Sequence, residues 1–362
     1  MRALILAGGR ATRLRPLTET TPKAMTPLLG RPFLEHVLAW LLRHGIDEIT
    51  LLLGHLAEPI RAHFGDGHAF GVRLGYVIEE TALGSGGAIK QLEAELREPF
   101  FALNGDIFTD LDLGAMVAAH RQAGAALTIS LEPVNDPSSY GVVARDDDGW
   151  ATRFVEKPPA GAAPSNLINA GTWLFEPETL RRIAADTYTM VERDLFPALA
   201  AERRLLGFAP SCYWMDAGTA ERYLQLHRDL LAGRAGGALA LVERSGWPGL
   251  FVQTAPGAPR RLAPAPVVDP SGSLEGAVVL DAGVRIGAGA AVRGPACLGA
   301  DVVVQDGARI EDSVIWSGCR VGPNAVVAAS ILAAGCVVGG GARLTGAVLG
   351  EGTVVPSGAT VP

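Results

Sequence analysis

The spacing of apolar residues follows one rule up to about Ala232 and another from Ser271 onward. In the first stretch short apolar runs alternate with amphipathic segments, the pattern of a parallel sheet covered by helices. Ala3 to Leu6 reads as a short buried strand. Leu34, Val37, Leu38, Leu41 and Leu42 recur at helical spacing and stop at Gly45, which suits a helix C-cap; Ile49 to Leu53 follows as a strand. Val72, Leu74, Tyr76 and Ile78 alternate as a strand, and Gly86 to Leu96 reads as a helix with Lys90 on its solvated side. Phe100 to Leu103 forms another buried strand and delivers Asn104-Gly105-Asp106 at its carboxyl end. Open parallel sheets bind ligands beyond the carboxyl ends of their strands, so Asp106 is expected to share a crevice with the Gly8-Gly9 loop.

From Ser271 the apolar residues fall on every sixth position, at Leu274, Leu280, Ile286, Val292, Leu298, Val304 and Ile310. The steps then become five, six, six, three times over: Ile315, Val321, Val327; Leu332, Val338, Leu344; Leu349, Val355, Val361. Only 27 of the 92 residues in this region are Leu, Ile or Val, so an arbitrary frame would hit fewer than one position in three. Hexapeptide repeats of this kind predict a parallel β-helix with three short strands per coil, each placing one apolar side chain inside. Cys319 and Cys336, 17 residues apart, are expected to stack on adjacent coils.

A chain of 362 residues, 48% hydrophobic, exceeds the usual limit of one core and predicts two domains, 1–232 and 271–362. Between them, 233–270 turns to Ala and Gly with six prolines from Pro248 onward, and reads as a connector. A net charge of -7 with no basic stripe argues against nucleic acid as a partner. The apolar stretches fall far short of a membrane span, and Ala3 to Ala7 is too short for a signal core, so a cytoplasmic protein without a membrane partner is expected. The four cysteines lack CxxC spacing or a nearby histidine, which points away from zinc and from a disulfide framework.

Candidate chemistry concentrates at the amino end. After the strand, Gly8-Gly9 lets the chain turn so that bare N–H groups face an anion, and Arg13 and Lys23 add fixed positive charge. A nucleoside triphosphate fits this set, although a strand followed by Gly-Gly is also ordinary loop punctuation. Lysine usage adds weight. Of 31 basic residues only Lys23, Lys90 and Lys157 are lysine, so a compact point charge is retained at two candidate phosphate positions where arginine serves elsewhere.

Six motifs in order then resemble the sugar-1-phosphate nucleotidyltransferases. They are Leu6-Ala7-Gly8-Gly9 with Thr12-Arg13 and Pro22-Lys23; Leu83-Gly84-Ser85-Gly86-Gly87; Asn104-Gly105-Asp106; Phe154-Val155-Glu156-Lys157-Pro158; Asn169-Ala170-Gly171; and Trp214-Met215-Asp216-Ala217-Gly218-Thr219. The resemblance implies an α/β fold, with a Rossmann-like, mostly parallel sheet carrying helices on both faces, followed by a left-handed parallel β-helix of hexapeptide repeats. It also implies attack of a sugar 1-phosphate oxygen on the α-phosphorus of a nucleoside triphosphate, with pyrophosphate leaving in line. Catalysis of such a step is positioning plus charge neutralisation. Asp106 and Asp216 resemble the carboxylates that hold Mg2+; Arg13 and Lys23 resemble the cations on the triphosphate. Leu6, Ala7, Gly8, Gly9, Thr12, Glu80, Gly84 and Asn104 fall to the nucleotide. Gly141, Glu156, Lys157, Asn169 and Gly171 fall to the sugar phosphate. Ala11 stands where the family usually has Gly: either the loop adopts a conformation alanine tolerates, or the triphosphate is held differently.

Glu79 and Glu80 end a strand near the expected base pocket. A carboxylate accepts from guanine N1–H and its exocyclic amine together, which favours GTP; the alternative is that one of them caps the next helix or faces water. A thymidylyl or uridylyl transferase and a non-catalytic sensor subunit are the nearest rivals. Acyl transfer in the β-helix is disfavoured, since all seven histidines lie at or before His227, and the first loop lacks the GxGxxG of dinucleotide oxidoreductases. The β-helix then reads as an assembly or regulatory module, and its open ends favour a homo-oligomer.

Overall fold

The apolar run at the amino end forms β1 (Arg2–Leu6), whose Ala3, Leu4 and Ile5 are all buried. The computed structural model describes every residue except 10, 55, 80, 236–240, 244–249 and 254–263; most of the expected connector, and Glu80, therefore lie outside the described residues. The described chain separates into two compact units, Met1–Gly9 with Val37–Trp214, and Arg10–His36 with Met215–Pro362.

In the first unit, β1 is flanked by parallel β2 (Glu48–Leu53) and, on its other side, by a strand from much later in the chain, β4 (Phe100–Asn104); β3 (Arg73–Ile78) lies beyond β2. Continuous apolar runs in β1, β2 and β4 suit strands covered on both faces. The sheet becomes mixed past β4. There β8 (Leu167–Phe175) pairs antiparallel, and β5 (Leu127–Pro133), β6 (Gly141–Arg145), β7 (Ala151–Glu156) and β9 (Leu205–Phe208) complete nine strands. The core beneath holds Phe100 stacked on Phe175 at 5.3 Å, with Trp173 edge-on to Phe196.

Helix α1 (Phe33–Arg43) buries Leu34, Val37, Leu38 and Leu41, and the chain turns after it at Gly45 with φ 73°, as the sequence predicts. Two expectations need correction. The helix expected over Gly86 to Leu96 runs instead from Gly84 to Lys90, because residues 91–95 close three-residue turns, Leu92 N–H to Ile89 C=O and Glu93 N–H to Lys90 C=O. Lys90 is not a solvated side chain: only 12% exposed, it donates to the Leu180 carbonyl at 2.9 Å and pairs with Glu93.

In the second unit the hexapeptide frame becomes three parallel sheets of a left-handed β-helix, and all sixteen repeat positions sit in matching registers. Leu274, Val292, Ile310, Val327, Leu344 and Val361 form one ladder. Leu280, Leu298, Ile315, Leu332 and Leu349 form the second; Ile286, Val304, Val321, Val338 and Val355 form the third, which Val268 extends. Cys319 and Cys336 are free buried thiols whose neighbours Arg320 and Val337 pair across adjacent coils. Helix α2 (Ala220–Leu231) and residues 10–36 belong to this unit as well.

Candidate active site

In the first unit, candidate residues gather where β1, β2 and β4 end. Ala7 N–H bonds the Leu52 carbonyl and Gly105 N–H bonds the Leu6 carbonyl, both at 2.9 Å, so the segment Leu6-Ala7-Gly8 runs between its neighbours. A Cβ on Gly8 would lie 3.2 Å from Gly54 N, and one on Gly105 would lie 3.1 Å from the Leu6 carbonyl oxygen; these glycines are set by close backbone approach, whereas a Cβ on Gly9 would meet nothing within 4 Å among the described residues. Asn104-Gly105-Asp106 therefore lies directly beside the loop after Leu6. Glu79 Oε1 accepts the Leu83 N–H at 3.1 Å, so this carboxylate braces the turn ahead of the Gly84 helix, which has no side-chain cap among the described residues. Gly84 and Gly86 are pressed against the Thr189 carbonyl, which accepts from Gly86 N–H at 2.8 Å.

A second group lies across β6, β7 and β8. Register pairs Glu156 with Gly141 and Ile168 with Val142, so Gly141, Glu156 and Asn169 stand side by side. A Cβ on Gly141 would meet Glu156 Oε2 at 2.8 Å, and one on Gly171 (φ 76°) would meet Asn104 Nδ2 at the same distance. Asn169 Oδ1 accepts from Gly171 N–H at 3.1 Å and from Trp173 Nε1–H at 2.8 Å. Since both partners are donors, the oxygen is committed to the fold and the Asn169 amide nitrogen is the group left to donate to a ligand. Lys157 takes a left-handed backbone, φ 47°, with its N–H on the Tyr140 carbonyl and its ammonium 3.5 Å from Glu156 Oε1.

Sequence reasoning gave no role to Trp214, Tyr140 or Glu192. Trp214 donates to the Ala170 carbonyl at 2.8 Å and meets Tyr140 edge-on, walling this group. Glu192, on one π-turn (Val191–Leu195), accepts from Ser85 Oγ–H at 2.7 Å, and that Oγ accepts the Val191 N–H. Burial raises the Glu192 carboxyl above its ordinary range, with Glu156 and Lys157 as charged neighbours. Its neighbours Arg193 and Asp194 make it read as one charge of a solvated run.

In the second unit Asp216 is buried among cations. Among the described residues, Arg222 bonds Oδ2 at 3.1 Å, Lys23 lies 3.7 Å from Oδ1 and Arg13 3.9 Å from Oδ2. Arg222 was also missed; it sits in the first turn of α2, whose N-cap Thr219 accepts the Arg222 N–H. A Cβ on Gly218 would lie 2.7 Å from Asp216 Oδ1 and 2.9 Å from Arg13 Nη2, so the Asp-Ala-Gly-Thr motif is a packed support for the carboxylate. Three cations gathered around one acid suit a polyphosphate, whose charge is spread over several oxygens. A carboxylate here also suits a hard divalent cation, which takes one or two acids and completes its shell with phosphate and water oxygens.

The question posed by Ala11 is answered by its backbone, left-handed at φ 46°, ψ 41°. Its carbonyl accepts from Leu14 N–H and from Thr18 Oγ1–H at 2.9 Å, so the loop imposes the conformation. A left-handed alanine costs about 1–2 kcal/mol, and glycine gives back part of that gain through its freer unfolded chain. Ala11→Gly is expected to raise the melting temperature by roughly 1–4 °C, read by scanning calorimetry; a lower value would contradict the strain.

Residues 2–233 match the family model described as Nucleotidyl transferase, and residues 274–362 match one described as GMPPB C-terminal domain. The chain belongs to the nucleotidyl transferase family. This nucleotidyl transferase is 36% identical over 343 residues to a UTP–glucose-1-phosphate uridylyltransferase of Synechocystis, covering 90% of this chain and 85% of that one. It is 34% identical over 328 residues to a mannose-1-phosphate guanylyltransferase of Mycobacterium tuberculosis, covering 90% and 82%. Among solved structures it resembles HddC from Yersinia pseudotuberculosis at 28% identity and a TM-score of 0.55, over 62% of this chain and 97% of that one. No helix among the described residues of the nucleotidyl transferase is long and apolar enough to cross a membrane.

Proposed function

We propose that the protein transfers the guanylyl group of GTP to mannose 1-phosphate, giving a nucleotide sugar and pyrophosphate. The observation that carries the reaction type is the Asp216 cluster with Arg13, Lys23 and Arg222, a carboxylate in cationic surroundings on a loop of this family's signature. The sugar phosphate oxygen attacks the α-phosphorus, the new P–O bond forms as the bond to the β-phosphate bridging oxygen breaks, and pyrophosphate departs with the electron pair. Arg13 neutralises the departing pyrophosphate, and Lys23 contacts the transferred phosphoryl group. Asp106 and Asp216, assigned from the family's motifs, would hold Mg2+, which would neutralise phosphate charge. Lys157 grips the entering phosphate, while Glu156, Asn169 Nδ2 and the backbone at Gly141 and Gly171 take sugar hydroxyls. Leu6 to Gly9, Thr12, Glu80, Gly84 and Asn104 are assigned to the nucleotide.

GTP is favoured by the carboxylate of Glu80, which follows β3 in the chain, and by likeness to the mycobacterial guanylyltransferase and the GMPPB C-terminal domain. The comparable likeness to a uridylyltransferase supports UTP and glucose 1-phosphate as the second reading. A matrix of GTP, UTP, dTTP and ATP against mannose and glucose 1-phosphates with Mg2+, scored by pyrophosphate release, tests both. The highest kcat/KM is expected for GTP with mannose 1-phosphate, and preference for a pyrimidine would defeat the guanine assignment. We further infer a cytoplasmic homo-oligomer; a monomeric mass in solution at micromolar concentration would remove the oligomer.

A further inference from the structure

Outward positions of the β-helix are charged over much of its surface, with Arg285, Arg309, Arg320 and Arg343 all exposed. One wall departs from this. Val314, Trp316, Ile331 and Ala333 are buried there in a cluster with Leu14 and Leu17 from the signature loop and Tyr223 and Leu224 from α2. A chain of hydrogen bonds threads that cluster: Trp316 Nε1–H donates to Tyr223 Oη at 3.1 Å, and Tyr223 Oη–H donates to the Pro27 carbonyl. Behind it, His227 Nδ1–H donates to the Tyr223 carbonyl at 3.0 Å and Nε2 accepts the Leu29 N–H at 3.3 Å. That pattern needs a neutral ring, and burial holds the His227 pKa down at about 4. The loop is thus fastened by Leu14 and Leu17 just after Arg13, and by Pro27 and Leu29 just after Lys23. Apolar burial alone tolerates sliding, whereas the directional Trp316–Tyr223–Pro27 relay sets one position along the wall.

We propose that this wall of the β-helix is a platform that positions the triphosphate loop, with Trp316 and Tyr223 as positioning residues that set Arg13 and Lys23 against Asp216. The inference rests on the reading of Arg13 and Lys23 as triphosphate ligands, and it gives the β-helix a part in turnover beyond assembly. Tyr223→Phe keeps the ring and removes both bonds of the relay, while Trp316→Phe keeps a smaller aromatic ring and removes only the bond to Tyr223; Val292→Ala, in the β-helix core on another sheet, serves as a control for lost stability. Both relay variants are expected to lower kcat roughly tenfold or more, with the KM for sugar 1-phosphate unchanged. They are also expected to speed amide exchange at Leu14, Leu17, Met25 and Thr26. Val292→Ala is expected to melt lower with kcat and loop exchange near wild type. If the relay variants behave like Val292→Ala, losing only melting temperature, the platform role is overturned. Amide exchange needs no substrate: should the wild type turn over no triphosphate with any sugar phosphate, the enzymatic reading fails, while loop exchange unchanged by Tyr223→Phe still overturns the platform and faster exchange still supports it.

Discussion

Asp216→Asn is expected to lower kcat by roughly three orders of magnitude or more, with no rescue at high Mg2+. Asparagine keeps the shape against which Gly218 packs, so the backbone survives, but the charge is gone. Arg222, Lys23 and Arg13, held within 4.0 Å of the carboxylate, then lose the negative charge they share there, and on the proposed metal role a divalent cation loses one of its acids. The loop is expected to withdraw Lys23, whose side chain is only 12% exposed. Loss of a charged partner by a largely buried group costs about 1–3 kcal/mol, so the variant is also expected to melt at a lower temperature. Steady-state turnover against Mg2+ concentration, with Mn2+ binding read directly, checks both. A kcat within tenfold of wild type at saturating metal would remove Asp216 from the metal site.

Lys157→Ala is expected to raise the KM for sugar 1-phosphate by roughly 10- to 100-fold, the worth of one charge-assisted hydrogen bond of about 1.5–3 kcal/mol, leaving the KM for triphosphate within about threefold. The side chain is 62% exposed and leans on Glu156 at 3.5 Å, a weak pair that leaves the ammonium available to an anion. Its left-handed backbone, fixed through the Tyr140 carbonyl, aims the side chain. Lys157→Gly removes the strain of a left-handed non-glycine residue and is expected to be more stable than Lys157→Ala with the same defect in KM. Equal loss for both substrates would contradict the assignment.

The β-helix was legible residue by residue because its rule is local: each short strand places one apolar side chain inside, so the period in the chain is the period in space. The buried strands around β1 were legible for a similar reason, as was the adjacency of Asn104-Gly105-Asp106 to the Gly8 loop, which follows from strand ends in a parallel sheet. Strand direction beyond β4 was not: the run Leu167–Phe175 is apolar whichever way it points, and only its partners make it antiparallel. Nor was Lys90 legible, since the carbonyl that holds it belongs to Leu180, 90 residues away.

At the candidate site, residue types announced phosphate chemistry, but charges were readable only as charges. Arg222 and Glu192 look like solvated surface until the fold sets one on Asp216 and the other on Ser85. Ala11 could be flagged as an odd residue in its motif, yet its left-handed backbone depends on the Thr18 and Leu14 bonds that close the loop. The sequence by itself determined the two apolar periods, the repeat register and the chemistry of the motifs, because these depend on spacing and side-chain type along the chain. Only tertiary structure decided which cations share Asp216, which amide atom of Asn169 is left to donate, and that the signature loop rests against Trp316. Lys23 and Arg13 reach Asp216, and Leu14 and Leu17 reach Trp316, from far away in sequence; Arg222 and the Asn169 partners Gly171 and Trp173 are near in sequence, but which atoms meet depends on backbone turns that side-chain type and spacing do not encode.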